Sequence, residues 1–136
     1  MPVTRLSIST PGRGLLEITG QVERAVVRAG VHEGVCTVFV QHTSASLVIQ
    51  ENADPSARAD LEAWLDRLVP EHDPLYTHTT EGPDDMPSHV KAALTATSLS
   101  IPVIDGRLGL GRWQGAYLWE HRRRPHTRNV LIHVGA

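Results

Sequence analysis

The sequence predicts an α+β protein: a single compact domain over residues 1–136, built on a mixed or antiparallel β-sheet with two or three helices. Three observations lead there. Segments with period-two alternation dominate both ends of the chain, while segments with helical spacing lie between them. The chain has 136 residues, 40% of them apolar, which is enough for one core without disulfide support. No internal repeat, low-complexity tract or linker divides it.

The elements follow in order. Val3 to Ser9 alternates as a half-buried strand, "PGRG" turns the chain, and Leu15 to Thr19 is a second strand. Gln21 to Ala29 carries Val22, Ala25, Val26 and Ala29 at helical spacing, with Gly30 as its stop. Val35 to Gln41 is β-branched and aromatic and predicts a strand; Leu47 to Gln50 predicts a short one. Asp54-Pro55 reads as an N-cap with proline in the first helical position. Ala57, Leu61, Trp64, Leu65 and Leu68 then form one apolar stripe that Pro70 ends. "EHDPLYTHTTEGPDDMP" is a long polar loop, followed by a helix over Ser88 to Thr97. Extended pieces follow at Ile101–Ile104, Leu108–Leu110 and Ala116–His121, and Asn129 to Val134 closes the chain as a strand.

Composition excludes some functions. The net charge is −2, and no broad basic field calls for nucleic acid. The run Arg122-Arg123-Arg124 reads as a solvated hairpin rather than a phosphate site. The single cysteine, Cys36, lies in an apolar run, so it reads as a core residue and not a nucleophile. Lacking a disulfide partner, it fits a reducing compartment. The start "MPVTRLSIST" lacks a signal-peptide pattern, and no apolar run approaches the roughly 20 residues that span a bilayer. The expectation is a cytoplasmic protein with no membrane partner. Lys91 is the only lysine among thirteen basic residues. It marks either chance in an arginine-biased chain or a site that needs a compact ammonium.

The stretch "VQHTSASLVIQENADPSAR" packs a histidine, hydroxyls, an acid and amides between two hydrophobic elements. His42 falls at the mouth of a strand. His78 lies in the long loop, and His89 follows Asp85 by four residues at the start of a helix. No tight spacing such as H-E-x-x-H joins the three. Each alone reads as an ordinary histidine, but all three sit beside acids in turns. A shared site would suit zinc, with three ligands and one open position, and Glu51, Glu81 and Asp85 as supporting acids. The loop "EGPDDMPSH" has two readings. Asp84 and Asp85 cap a helix, or they meet a phosphorylated ligand through a divalent cation such as magnesium. "HTSAS" offers hydroxyls, Thr43 and Ser44 among them, to such a ligand. "GRLGLGRWQG" has four glycines in ten residues and predicts tight turns; it is not a P-loop. Trp113-Gln114 there offers either a stacking face and an amide, or packing.

Taken together, "HTSASLVIQENADP", "YTHTTEGPDDMPSHVKAAL", "IPVIDGRLGLGRWQG" and "YLWEHRRRPHTRNVLIHV" closely resemble the YjbQ family, described as secondary thiamine-phosphate synthase. The likeness runs in order from Thr4 to the C-terminus. It implies a small α+β homotrimer with a polar site near subunit boundaries. The implied activity joins a pyrimidine diphosphate to a thiazole phosphate and releases pyrophosphate, as a weak or secondary reaction. The family's polar positions fall on His42, Thr43, Glu51, Asn52, His78, Glu81, Asp85, His89, Lys91, Trp113 and Gln114. Arg112 departs from the threonine common there. Three functions stay open. One is the synthase reaction, with a metal and Lys91 stabilising departing pyrophosphate. Another is a zinc-dependent hydrolase of a phosphorylated small molecule, with Glu51 or Glu81 as base. The last is a non-catalytic trimer that binds a metabolite. The expected site thus comprises metal ligands His42, His78 and His89, catalytic residues Glu51, Glu81 and Lys91, and ligand contacts Thr43, Ser44, Asn52, Asp85, Trp113 and Gln114.

Overall fold

The structure, a computed structural model, describes residues 2–136. In chain order it holds β1 (Val3–Thr10), β2 (Gly14–Glu17), α1 (Thr19–Ala29), β3 (Gly34–Val40), β4 (Ala45–Glu51), α2 (Pro55–Leu68), α3 (Asp85–Leu94), β5 (Ser98–Ile104), β6 (Arg107–Leu108), β7 (Gln114–Glu120) and β8 (His126–Gly135). The strands form a five-stranded sheet, β1-β8-β3-β5-β6, and a three-stranded sheet, β2-β7-β4. Every pairing is antiparallel, so of the two sheet types expected the antiparallel one is realised.

The alternation of β3 explains the layering. Cys36, Val38 and Val40 point inward, with Ile101 and Val103 of β5 and Val130, Ile132 and Val134 of β8. α1 lays Val22, Ala25 and Val26 on that face, and Ala45, Leu47, Ala116 and Leu118 of the small sheet complete the core. The other face of the small sheet carries Tyr117 and Trp119, which pack with Leu15, Leu65 and Val69 into a second cluster beneath α2. β7 is therefore buried on both faces from Gly115 to Glu120. Among the described residues, no helix covers the outer face of the large sheet. Val35, Phe39 and Ile104 are about half exposed there, as is Val3 on β1.

Local signals behave as their chemistry requires. Gly30 ends α1 in the left-handed conformation, φ 68°, at little cost without a Cβ. Asp54 caps α2 by accepting the Ser56 N–H at 2.9 Å, with Pro55 in the first turn. Asp105 and Gly106 both take positive φ, 53° and 75°, and close the two-residue turn between β5 and β6. Cys36 is fully buried, and burial, then the Glu23 charge, push its thiol up to about 11.

Two expectations are corrected. α3 starts at Asp85 rather than Ser88. Pro87 sits in its first turn, where the missing N–H has no helical partner to lose. The stripe of α2 is only half covered: Leu65 is buried, but Trp64 and Leu68 are 50% and 52% exposed.

Candidate metal centre

α3 sets the geometry. Asp85 and His89 are one turn apart, so both project from one face. Asp85 is 1% exposed, and its two carboxylate oxygens have different partners. Arg122 Nη1 donates to Oδ1 at 2.6 Å. Oδ2 is buried and has no hydrogen-bond donor, yet His78 Nε2 lies 2.8 Å from it and His89 Nε2 3.3 Å. The ligand atoms of His78, Asp85 and His89 all fall within 4.8 Å of one another. The two imidazoles stand 5.4 Å apart by centroid, tilted by 54°.

The state of one imidazole follows from its other nitrogen. His89 Nδ1 is 2.9 Å from the Thr43 carbonyl. A carbonyl only accepts, so Nδ1 carries the proton, and in the neutral ring Nε2 presents a lone pair toward Asp85. A His89 lone pair facing this buried carboxylate oxygen is repelled unless a proton or a metal cation lies between them, and His78 Nε2, at 2.8 Å, is within reach to donate a proton or to share a cation. This donor set of two imidazoles and one carboxylate suits a divalent cation with an open position, and the Thr43 carbonyl plays the outer role that fixes such a histidine. Burial raises the Asp85 pKa, but Glu81, His89, Arg122 and His78 together outweigh it, and the carboxyl lies below its ordinary value.

The surroundings are tied down from three sides. Arg122 also donates from Nε to Asp84 Oδ2 at 3.1 Å and from Nη2 to the Glu81 carbonyl at 2.9 Å. Asp84 Oδ2 takes a further bond from the Arg123 N–H at 2.9 Å. Burial raises the Asp84 pKa, but these donors more than offset it and leave the carboxyl low. Behind the turn before β4, Arg128 pairs with Glu120 through Nε at 2.7 Å and donates from Nη2 to the Ser44 carbonyl at 3.2 Å. Thr10 Oγ1 joins the same carboxylate at 2.7 Å.

The expected site residues therefore divide. His78, Asp85 and His89 come together, with Glu81 Oε2 3.8 Å from His78 Nε2. Asp85, expected as a supporting acid and ligand contact, stands among the candidate metal ligands. His42 is a correction: it is not in the group, because its Nε2 accepts the Asn129 N–H at 2.8 Å. Burial, then the Arg128 charge, lower its pKa. The Thr43 and Ser44 carbonyls meet His89 and Arg128, and the hydroxyls remain expected ligand contacts. Lys91 is a second correction. It is 2% exposed, and its Nζ donates to Asp66 Oδ1 at 2.5 Å between α3 and α2.

Glu51, Asn52, Trp113 and Gln114 gather elsewhere. Glu51 pairs with Gln114 at the far end of β4, about 20 Å along the strand from Ala45. Asn52 Nδ2 lies 3.4 Å from Glu17 Oε2 and from the Gln114 carbonyl. The Arg112 guanidinium stacks over Trp113 at 4.7 Å. Within one chain these residues do not reach the histidines. Sequence reasoning missed Arg122, which binds more of the centre than any other side chain. Its signal was the acid pair Asp84-Asp85, which required a cation from somewhere.

A small α+β domain of two antiparallel sheets, with a His-Asp-His cluster at the start of α3, defines the class of protein. A family model described as UPF0047 protein YjbQ-like matches residues 4–136, and the chain belongs to that family. It is similar to a UPF0047 protein of Synechocystis sp., 55% identical over 95% of this chain and 88% of that one. It is 40% identical to the UPF0047 protein YjbQ of Escherichia coli O157:H7, over 93% and 91% of the two chains. Among solved structures, a YjbQ/UPF0047-family protein from Clostridium acetobutylicum superposes with TM-score 0.90 at 35% identity, covering 97% of this chain and 99% of that one. A conserved hypothetical protein from Thermus thermophilus gives 0.86 at 38% identity, over 97% and 99%. No helix among the described residues is long and apolar enough to cross a membrane.

Proposed function

We propose that His78, Asp85 and His89 hold a divalent cation, zinc in preference to magnesium, and that the centre hydrolyses a small phosphorylated molecule. The observation that carries this is Asp85 Oδ2, a buried carboxylate oxygen without a donor and faced by two ring nitrogens. Two imidazoles favour zinc over magnesium, which prefers oxygen ligands. A zinc ion held by His78, Asp85 and His89 would lower the pKa of its water and polarise a phosphoryl oxygen. Glu81 is exposed, 3.8 Å from His78, and would be the base that accepts a proton from that water. Arg123 and Arg124 line an adjoining cleft of about 480 Å³ with Glu81 and Asp84, which supports an anionic substrate.

The synthase reaction drew on Lys91 to meet departing pyrophosphate. With that ammonium buried against Asp66, the synthase reading rests on the resemblance alone. Self-association to a trimer and a cytoplasmic setting complete the proposal. The uncovered outer face of the large sheet supports the first. The single buried thiol supports the second.

The test is release of inorganic phosphate from p-nitrophenyl phosphate and from a sugar phosphate, by zinc-loaded protein. Turnover that a chelator abolishes and that Glu81→Gln lowers at least tenfold supports hydrolysis. Binding without turnover by the zinc-loaded protein overturns it in favour of the non-catalytic metabolite-binding reading.

A further inference from the structure

We infer that the substrate has, besides its anionic end, a small apolar or aromatic body that rests against His78 in the cleft between the Glu71–Gly82 loop and α3. This rests on the metal reading above and extends it to the shape of the substrate.

The cleft has a volume of about 300 Å³, and His78 is one of its walls. The residue that faces Asp85 with one edge of its ring thus also lines the space beside the centre. Tyr76, Pro83 and Met86 add apolar side chains to its lining, while His72, Asp73 and Thr79 add polar groups. An apolar lining with a few polar groups is the usual make-up of a small-molecule site. A cleft of this size accommodates one ring with its substituents.

The loop is built to hold this shape. Asp73 Oδ1 accepts the Leu75 N–H at 2.9 Å, and the Tyr76 N–H donates to the Asp73 carbonyl at 3.1 Å. Tyr76 is thereby placed by a closed turn. His72 takes φ 62°, a left-handed conformation rare outside glycine and enriched where surroundings enforce it at functional sites. Gly82, φ 105°, turns the chain into α3 on the other side. A ligand that reaches a cation at His78 would lay its apolar part on Tyr76, Pro83 and Met86, displacing water from them.

The experiment compares two hydroxamates on zinc-loaded protein. Acetohydroxamate and benzohydroxamate share the metal-binding head and differ in a methyl against a phenyl group. Zinc is titrated first, so a protein that binds none overturns the metal reading, and this inference with it, before any probe is added. With zinc bound, benzohydroxamate should bind about tenfold or more tightly than acetohydroxamate. In Thr79→Trp, which fills the cleft from an exposed position, and in Tyr76→Ala, that preference should fall below about threefold. Zinc and acetohydroxamate affinities should stay unchanged. Equal binding of the two probes to the unsubstituted protein overturns the inference and leaves the metal centre standing. So does a preference that survives both substitutions.

Discussion

Arg122 grips Asp85 by one oxygen and leaves the other free: Nη1 lies 2.6 Å from Oδ1, while Oδ2 faces two imidazoles. The carboxylate is thereby oriented, and the Arg122 charge helps to keep it ionised.

Replacing Arg122 should loosen the centre without dismantling the fold. Partners outside the ligand set typically contribute ten- to hundredfold to metal affinity, so Arg122→Gln should weaken zinc binding by about that factor. Arg122→Lys should recover only part of it, because an ammonium cannot hold Asp84, Asp85 and the Glu81 carbonyl from one plane. Zinc titration of both variants, with circular dichroism to confirm folding, checks this.

Lys91 should behave as a structural residue. Its stem is buried and its ammonium is paired with Asp66. Truncation leaves a cavity and takes the nearer of two cations from Asp66, which keeps Arg13 at 3.7 Å, so Lys91→Ala should cost about 2–4 kcal/mol in urea unfolding, most of it from the cavity. Lys91→Met, which keeps the volume, should cost less. Zinc affinity should not change in either variant; a stable Lys91→Ala protein with weakened pyrophosphate binding would restore the expected catalytic role.

His121 makes stability depend on pH. It is 1% exposed, Nδ1 has no partner, and Nε2 meets Ser46 Oγ at 2.8 Å. Burial, then the Lys91 charge, lower its pKa to about 3. Between the unfolded value near 6.5 and that folded value, the unfolded chain binds one more proton, so stability falls as pH falls. The slope is about 1.4 kcal/mol per pH unit for one such group. From pH 6.5 to 5.5, above the ordinary carboxylate values, His121→Gln should flatten the dependence by up to about that slope. Parallel curves for the two proteins would remove His121 as the cause.

The outer face of the large sheet should be a subunit boundary. Val35 and Phe39 are 47% and 43% exposed on β3, and Ile104 is 53% exposed on β5. Light scattering at micromolar concentration should give a trimer, and Phe39→Glu a smaller species. A monomeric unsubstituted protein contradicts the trimer. A trimer unaffected by Phe39→Glu places the boundary elsewhere.

Much of the fold was legible because its signals are local. The alternation of Val35 to Gln41, the Asp54-Pro55 start and Gly30 each act over a few residues. The start of α3 was not, since Pro87 reads as a breaker unless its place in the first turn is known. In the site, the i, i+4 spacing of Asp85 and His89 and the acids around His78 were legible. The exclusion of His42 was not, because it depends on the Asn129 N–H, 87 residues away. Lys91 misled for a related reason. Chemistry alone suggests an exposed cation, and only packing of α3 on α2 reveals a buried one. Arg122 lies 37 residues from Asp85, a separation that no motif encodes.

The most direct measurement is zinc titration of chelator-stripped protein, read by calorimetry and elemental analysis. One zinc per chain should bind, binding should be lost in His89→Ala and in Asp85→Asn, and His42→Ala should retain it. A folded protein that takes up no zinc, or that binds it equally after both losses, contradicts the assignment of His78, Asp85 and His89 as a metal centre.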